Sequence, residues 1–300
     1  MVVAATGFFD GVHTGHKRVL KLLSQIAAEQ GKRSAVITFW PHPRSVLRQD
    51  ASQLRLLSTL DEKRELILSA GVDEVIVIPF TKEFSQLSTE EFLKEYLAKR
   101  YNVSTLIIGY DHRLGHDADM TPQKLMEISA EAGIETRLVD AFQLGESVIS
   151  STKIRRLIAE GRIVEANEFL GYRYQLTGVV VAGERLGRKL GFPTANMQLY
   201  NPLKAIPAFG VYAVTAEVEG RVYAGVCNIG IRPTVSNKES VSIETHILSF
   251  NEDIYGLDLK VSFLQKLRDE RRFPSTDALV EQMKMDKIAA LEIVSAAQNI

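Results

Sequence analysis

Hydrophobic and polar positions follow two different patterns along the chain. In the first half, continuous apolar runs alternate with stretches of helical spacing, one of which opens with a capping box formed by Ser88 and Glu91. Strands that are apolar on both faces are typical of a parallel sheet covered by helices on either side. The pattern therefore predicts a doubly wound α/β domain. The predicted strands span residues 2–8, 34–39, 74–79, 105–108 and 136–139.

From about residue 171 onward, apolar runs are separated by Gly, Asn, Asp and Pro, which predicts the antiparallel strands of a small β-barrel. We place the boundary near residue 170, which gives domains 1–170 and 171–300. The predicted barrel strands span residues 176–182, 211–218, 222–227, 242–248 and 259–263. A terminal helix is expected from Thr276 onward, capped by Ser275 or Thr276. Its predicted apolar stripe consists of Leu279, Met283, Ile288, Leu291 and Val294.

Composition indicates an ordinary globular protein. The chain has 300 residues, of which 45% are hydrophobic, and its formal net charge of −1 provides no overall positive field for nucleic acid or anionic lipid. We therefore expect neither a nucleic-acid nor a membrane partner. Cys227 is the only cysteine, which excludes an intrachain disulfide and suits a reducing compartment. Because the first residues lack a secretory pattern and no apolar run approaches the length of a membrane span, we expect a cytoplasmic protein.

The first candidate for chemistry is the segment GFFDGVHTGH at residues 7–16, which lies between a predicted strand and a predicted helix. Parallel α/β sheets bind ligands at the carboxyl ends of their strands, and the amides of a helix N-terminus favour an anion. His13 and His16 are therefore expected to face a phosphate chain. Two other interpretations stay open, a zinc site and a turn whose histidines only cap the helix.

The second candidate is ISSTKIR at residues 149–155, which follows the last predicted strand of the first domain. Ser151 and Thr152 come at the start of a helix and Arg155 lies one turn inside it, so hydroxyls, amides and a guanidinium can converge on an anion. An ordinary Ser/Thr cap with a solvated arginine would give the same pattern.

The second domain carries its own signature, GRKLGFPTAN at residues 187–196. Thr194 and Asn196 carry hard oxygen groups of the kind that Mg²⁺ accepts. The plainer interpretation is a turn that contains glycines and carries polar side chains. Glu244 stands among apolar neighbours in a predicted strand. It is either a general base or a carboxylate on the solvent face of the strand.

Taken together, these motifs resemble those of the bacterial bifunctional riboflavin kinase/FMN adenylyltransferase family, also called FAD synthetases, over essentially the whole chain. The first-domain elements also resemble the wider nucleotidyltransferase superfamily. The matching segments are residues 7–16, 39–43 and 150–155 in the first domain, and 187–196, 228–234, 244–246, 253–256 and 267–273 in the second.

The resemblance implies a Rossmann-like nucleotidyltransferase domain followed by a riboflavin kinase barrel. The kinase would use ATP and Mg²⁺ to convert riboflavin to FMN, and the first domain would transfer AMP from ATP to FMN, giving FAD and pyrophosphate. Flavins are then substrate and product, so no tightly bound redox cofactor is expected. Small molecules, namely riboflavin, FMN, FAD and ATP, are the expected partners.

The resemblance also implies residue roles. Glu244 would accept the hydroxyl proton, His13 and His16 would stabilise the departing pyrophosphate, and the metal ligands would be Thr194 and Asn196. The implied nucleotide and phosphate contacts are Gly7, Phe9, Asp10, Gly15, Ser151, Thr152, Arg155, Gly187, Gly191 and Pro193. The implied flavin contacts are Pro41, His42, Pro43, Asp111, Arg268 and Glu270.

One segment departs from the family pattern. After Gly115, the chain has Ala118, Met120 and Thr121 where Arg, Gly and an acid are common in the family. A riboflavin kinase with a weakened or inactive adenylyltransferase domain is therefore the main alternative. A different nucleotidyltransferase and a non-catalytic flavin-binding protein are further alternatives, but the first would not need residues 187–196 and the second would not need Glu244.

Overall fold

The computed structural model describes residues 1–47, 54–109, 115, 121–139, 143–144, 147–183, 187, 190–233 and 239–298. The chain divides into two compact units, Met1–Ser151 and Thr152–Ile300. The division into functional domains at residues 170 and 171 stays a prediction.

The first unit is built around a parallel sheet. Its strands are β1 (Val2–Thr6), β2 (Arg33–Trp40), β3 (Glu74–Pro79), β4 (Val103–Gly109) and β5 (Glu135–Val139). They lie in the order β3-β2-β1-β4-β5, and β1 pairs in parallel with both β2 and β4. The order therefore reverses beside β1, and the carboxyl end of β1 lies where open α/β sheets bind their ligands. The doubly wound architecture is confirmed.

Helices cover both faces of this sheet. The helices of the unit are α1 (Thr14–Glu29), α2 (Pro43–Leu47), α3 (Leu60–Ser69), α4 (Thr89–Glu91, continued as a wider π-helix over Phe92–Arg100) and α5 (Pro122–Glu131). Val3 and Ala5 of β1 pack into a core with α1 and α3, whereas Ala4 packs into a second core with the π-helix and α5. This alternation explains why residues 2–5 of β1 are all apolar. The capping box of Ser88 and Glu91 is confirmed.

A short antiparallel pair closes the first unit, and two helices open the second. The pair consists of β6 (Gln143–Leu144) and β7 (Ser147–Val148), and the helices are α6 (Ser151–Ala159) and α7 (Ile163–Leu170). In the second unit, Asn167 Nδ2 donates to the carbonyl of Phe263 at 2.9 Å, and its Oδ1 accepts from Tyr174 N at 2.7 Å. These bonds fasten α7 to the barrel.

The described part of the second unit forms a closed antiparallel barrel. Its strands are β8 (Gln175–Val181), β9 (Ala195–Leu199), β10 (Gly210–Val218), β11 (Arg221–Pro233), β12 (Glu239–Ile247) and β13 (Asp258–Arg268). They close in the order β10-β11-β12-β9-β8-β13. The predicted barrel is confirmed, but β9 was not predicted as a strand. It pairs with β12, where Asn196 of β9 stands opposite Glu244 of β12.

The terminal helix α8 (Thr276–Gln298) packs against β10, β11 and β13, and Ser275 Oγ accepts from Ala278 N at its start. The prediction of its apolar stripe is partly wrong, because Ile288 and Leu291 are exposed. The predicted position Val294 is buried, together with Asp286 and Ala290, which were not predicted; these three positions recur every four residues. The sequence did not reveal this face, because an aspartate is not expected at a buried position. The buried carboxylate of Asp286 forms an ion pair with Arg268 of β13.

Candidate active sites

The turn after β1, residues 7–13, is tightly bent. Phe9, Gly11 and Val12 all have left-handed backbone conformations, with φ angles of 51°, 74° and 37°. Such angles are unfavourable for a phenylalanine and still more for a β-branched valine, so the surrounding structure must hold them in place. We call this segment the phosphate turn, after the ligand that the sequence predicts for it.

Asp10 is the brace that holds the phosphate turn. Its buried carboxylate accepts hydrogen bonds from the backbone amides of Leu57 and Ser58, at 2.9 and 3.1 Å. In return, Gly11 N donates to Ser58 Oγ at 3.0 Å. The described hydrogen bonds of the Asp10 carboxylate are therefore made within the protein, and its predicted contact with nucleotide stays a prediction.

His13 and His16 lie together at the start of α1. The His13 ring accepts a hydrogen bond from His16 N at 3.3 Å, and the two rings stack with centroids 3.6 Å apart. A Cβ atom on Gly15 would come within 3.2 Å of His13 Nδ1, so a glycine at this position avoids crowding the His13 ring. His13 therefore caps α1, as the structural interpretation predicts. Capping does not account for His16, because its buried Nδ1 has no hydrogen-bond partner in the part of the chain described.

Both histidines are neutral near pH 7. Burial lowers the pKa of His13 to about 4. Burial also lowers the pKa of His16, and the charges of His13 and Lys63 lower it further. The two rings can therefore donate hydrogen bonds to a phosphate oxygen, but they bring no positive charge to the phosphate turn before a ligand binds.

Ser151 reaches the phosphate turn from the start of α6. Its hydroxyl donates to the backbone carbonyl of Asp10 at 3.0 Å, so the structure brings Ser151 to the phosphate turn. Thr152 and Arg155 follow in the same helix, within the second compact unit, and Arg155 Nη2 donates to Thr152 Oγ1 at 3.1 Å.

A buried lysine near the turn was missed by the sequence analysis. Lys63 of α3 is fully buried, and its ammonium lies 3.6 Å from the centroid of the Phe8 ring. The available signal was its spacing of four residues from the equally buried Ile67. In an amphipathic helix rich in charges, that spacing does not distinguish a buried lysine from a solvated one.

The predicted flavin contacts of the first domain lie after β2. The Trp40–Pro41 peptide bond is cis, and Pro43 begins α2. The His42 ring meets the Phe8 ring edge-on, with centroids 4.2 Å apart, so this bend packs against the phosphate turn. Asp111, Ala118 and Met120 lie outside the described residues. Thr121 caps α5, where its hydroxyl accepts from Lys124 N at 3.2 Å.

In the second unit, three predicted residues meet on one ladder. Glu244 of β12 stands directly opposite Asn196 of β9 and, on its other side, opposite Asn228 of β11. Thr194 Oγ1 donates to Glu244 Oε2 at 3.3 Å. Ile243, Thr245 and Ile247 point into the barrel, so Glu244 and His246 share the opposite face. This answers why an acid stands among apolar neighbours.

The loop before β9 is fitted closely around this ladder. A Cβ atom on Gly183 would come within 2.3 Å of Asn196 Nδ2, and one on Gly187 within 2.3 Å of the carbonyl of Phe192. His246 Nδ1 donates to the carbonyl of Pro193 at 2.7 Å, which ties the loop to β12. Gly191 has a left-handed φ of 84°, which a turn at this point requires of glycine.

Arg268 and Glu270 lie at the end of β13. The Arg268 guanidinium forms a two-pronged ion pair with Asp286 of α8, with N–O distances of 2.9 to 3.1 Å. Glu270 packs over Gly230, where a Cβ atom would come within 2.0 Å of its Oε1, and accepts from Asn228 Nδ2 at 3.4 Å. Glu270 thus approaches the Asn228 that flanks Glu244, while the Arg268 guanidinium is engaged by the terminal helix.

A cavity of about 620 Å³ opens beside the ladder, between the loop before β9, the end of β12 and α8. Phe192 and Phe250 give it an aromatic lining, and Lys284 and Lys287 contribute positive charge. The remaining lining residues are Gly191, Pro193, His246, Ile247, Ser249, Asn251 and Ile288. Its size suits a small molecule or part of one.

The described residues contain no group of three or more His, Cys, Asp or Glu side chains that could hold a metal ion. The same residues contain no helix long and apolar enough to cross a membrane.

Comparison with known proteins assigns both units. A family model described as FAD synthetase matches residues 1–153, and one described as riboflavin kinase matches residues 170–294. The bifunctional riboflavin kinase/FMN adenylyltransferase of Listeria monocytogenes is 39% identical over 285 residues, which cover 95% of this chain and 90% of that protein. The chain belongs to the bifunctional riboflavin kinase/FMN adenylyltransferase family.

Two further similar proteins match nearly the whole chain. The family member from Bacillus subtilis is 38% identical, over 98% of this chain and 92% of its own. A crystal structure from Streptococcus pneumoniae, described as a macrolide-efflux protein, has a TM-score of 0.87 and 30% identity, over 96% of this chain and 93% of that one. The resemblance and the order of the two domains are confirmed. The kinase-only alternative is not favoured, because the first unit matches the FAD synthetase model.

Proposed function

We propose that the protein carries out two consecutive reactions, phosphorylation of riboflavin to FMN and adenylylation of FMN to FAD. The observation that carries this proposal is that each unit holds the motif of its family as a compact group. Thr194, Asn196 and Glu244 meet on one ladder, and His13 and His16 stack at a helix N-terminus. Riboflavin, FMN, FAD and ATP are then the small molecules that the protein handles.

In the kinase step, Glu244 acts as the general base. It takes the proton from the ribityl 5′-hydroxyl of riboflavin as that oxygen attacks the γ-phosphorus of ATP, and ADP leaves. The hydrogen bond from Thr194 orients the carboxylate, since it occupies one lone pair of Oε2. Neither reacting group becomes attached to the protein, so positioning and charge neutralisation supply most of the catalysis.

The donors on this ladder fit Mg²⁺ bound with ATP. A threonine hydroxyl, an asparagine carbonyl and a carboxylate are hard oxygen ligands, and Mg²⁺ takes its remaining ligands from phosphates and water. Thr194 and Asn196 would hold the ion. When bound, the ion neutralises charge on the phosphates that are transferred and released.

The cavity beside the ladder is the proposed position for the adenosine end of the kinase's ATP. Phe192 and Phe250 offer aromatic faces to a base, and Pro193 leads directly to Thr194. Gly187 and Gly191 let the loop backbone approach the nucleotide. Arg268 and Glu270 are proposed to contact the flavin from the far end of β13.

In the adenylyl step, a phosphate oxygen of FMN attacks the α-phosphorus of a second ATP, and pyrophosphate leaves. FMN phosphate is already ionised, so no general base is needed. The neutral rings of His13 and His16 donate hydrogen bonds to the phosphate chain, together with the amides that begin α1. Gly7, Phe9 and Asp10 shape the phosphate turn, and Gly15 leaves room for the His13 ring at the start of α1. The other proposed phosphate contacts are Ser151, Thr152 and Arg155, and the proposed flavin contacts are Pro41, His42, Pro43 and Asp111.

We place both reactions in the cytoplasm. Cys227 is a free, buried thiol whose pKa is raised by burial to about 12, and a reducing compartment suits such a side chain.

The direct test is a time course with riboflavin and Mg-ATP in which riboflavin, FMN and FAD are separated by chromatography. FMN should appear first and FAD after it, because the product of one reaction is the substrate of the other. If neither product forms, the proposed function is wrong. If FMN alone accumulates, and supplied FMN is not converted either, the protein is a kinase only.

A further inference from the structure

Lys63 is a fully buried lysine at the carboxyl side of the parallel sheet, and none of the motifs accounts for it. Burying an ammonium group is costly unless the protein compensates the charge, so lysine is almost never found with no exposed surface. A leucine or methionine at this position would fill the core without that cost. The charge itself therefore needs an explanation.

The contacts of the ammonium join α3 to the phosphate turn. Nζ lies 3.6 Å from the centroid of the Phe8 ring and 5.8 Å from that of Trp40, so two aromatic faces attract it. It also donates to Thr38 Oγ1 at 3.4 Å, and the Thr38 hydroxyl donates to the carbonyl of Phe8 at 3.2 Å. Both Lys63 and Thr38 are fully buried. The charge is thus fixed against the first residues of the turn.

The charges of the groups around the phosphate turn suggest a role for this ammonium. His13 and His16 are neutral near pH 7, and the carboxylate of Asp10 is hydrogen-bonded to backbone amides. Burial lowers the pKa of Lys63 to about 8, with the Asp10 charge acting in the opposite direction, so the ammonium stays largely protonated at pH 7. Its charge reaches the site, since it contributes to the lowered pKa of His16.

We propose that Lys63 is a positioning residue of the adenylyl-transfer site. Its ammonium holds Phe8 in the phosphate turn and supplies a fixed positive charge that the neutral histidines do not provide. It acts on the triphosphate through the field and through Phe8, without touching it. This inference rests on the proposed adenylyl transfer.

The test is the substitution Lys63→Met, measured as FAD formation from supplied FMN and ATP. Methionine has a similar length and packs well on aromatic rings, so the substitution removes the charge and keeps the packing. A buried unit charge at an effective dielectric constant of about 20 changes the affinity for an anion on the order of 10 Å away by roughly tenfold. We expect the KM for ATP in this reaction to rise by about that factor.

Two controls separate this role from a purely structural one. Riboflavin phosphorylation, measured on the same molecules, should be unchanged. The thermal midpoint is measured for each variant, because removing the ammonium also removes the positive charge that interacts with the buried Asp10 carboxylate. Lys32→Met is the matched substitution, because Lys32 lies just before β2, at the opposite end of that strand, and its ammonium donates to Gln30 and Ser104 at 2.8 Å. It should leave the KM for ATP unaltered.

Three results would overturn the inference. The first is an unaltered KM for ATP in the Lys63→Met protein. The second is a loss of FAD formation that only follows a fall in thermal midpoint and is not restored by Lys63→Arg, which keeps the charge. The third is the absence of FAD formation by the unaltered protein. Only this third result would also contradict the proposed function, so the two failures can be told apart.

Discussion

At the scale of single residues, backbone pairing between two strands positions the proposed catalytic side chains of the kinase. Glu244 and Asn196 stand opposite each other because β12 and β9 pair at that point, and the Thr194 hydroxyl reaches Glu244 from the residue before β9. Opposing side chains on such a ladder are about 5 Å apart, which suits groups that must share one phosphate.

This geometry predicts the effect of Glu244→Gln. The amide keeps the size of the side chain and can still accept from Thr194, but it cannot accept a proton. Riboflavin consumption should fall by about 10²- to 10⁴-fold. FAD formation from supplied FMN should continue at its normal rate. Glu217→Gln is the matched control, because Glu217 lies on β10 and pairs at the surface with Lys260. Equal kinase losses in both variants would remove Glu244 from the reaction.

The buried histidines predict how stability depends on pH. The pKa of His13 is about 4 in the folded protein against 6.5 ordinarily, so the unfolded chain binds this proton first as the pH falls. Stability should therefore be full above pH 6.5 and decrease towards pH 4, by at most about 1.4 kcal/mol per pH unit for this one group.

The measurement is urea unfolding of the unaltered protein and of His13→Asn across that range. Asparagine can still accept the capping bond from His16 N, but it does not titrate. The variant should lose clearly less stability on acidification. Identical pH dependence in the two proteins would mean that His13 is not buried in its neutral form.

What the sequence revealed about residues depended on how distinctive their pattern is. His13, His16, Thr194, Asn196 and Glu244 stand in motifs where their residue type is unexpected, and the structure gathers them into two compact groups. Lys63 could not be found in this way, because a lysine in a charged amphipathic helix is the ordinary case and only the packing reveals that it is buried.

At the scale of elements, continuous apolar strands were the easiest to predict and mixed ones the hardest. All five strands of the parallel sheet described here were predicted, and β1 to β4 are each apolar over most of their length. Strand β9 was missed because its sequence, ANMQL, has a weak alternation and follows directly on a motif read for its chemistry. The stripe of α8 was wrong because a buried ion pair replaced an apolar residue at Asp286.

That ion pair predicts the response to Asp286→Ala. The variant would leave the largely buried Arg268 guanidinium without its carboxylate, and Gln282, whose amide donates to Asp286 at 2.8 Å, would lose its acceptor too. Removing one partner of a buried pair costs roughly 3 kcal/mol. Hydrogen exchange of the α8 amides should become faster, and the free energy of unfolding of the second unit should fall.

Glu217→Ala provides the comparison for Asp286→Ala. Its pair with Lys260 is 35 to 39% exposed, so its loss should change the free energy of unfolding by less than about 1 kcal/mol. Urea unfolding followed by circular dichroism measures both variants. Equal losses would show that the pair with Arg268 does not hold α8 to the barrel.

At the scale of the whole molecule, the two proposed reactions depend on separate groups of catalytic residues, His13 and His16 for adenylyl transfer and Glu244 for the kinase step. A change in one group should therefore leave the other reaction intact, and FMN released by one molecule should serve another. We expect His13→Ala to make FMN but little FAD from riboflavin, and Glu244→Gln to make neither.

An equimolar mixture of these two variants should convert riboflavin to FAD after a lag in which FMN accumulates. Chromatography of the mixture over time measures this. As a control, Glu244→Gln alone must form FAD from supplied FMN, which shows that its first unit is folded. A mixture that stops at FMN would contradict the independence of the two units.

The ladder around Glu244 also limits how the length of this chain can change in evolution. Side chains on a strand alternate between two faces, so gaining or losing one residue within β12 would turn Glu244 towards the barrel interior and bring Ile243 or Thr245 to its place. Insertions in the turns between strands have no such effect. Relatives of different length can therefore diverge freely in those turns, while β9 and β12 must keep their residue count or give up the reaction.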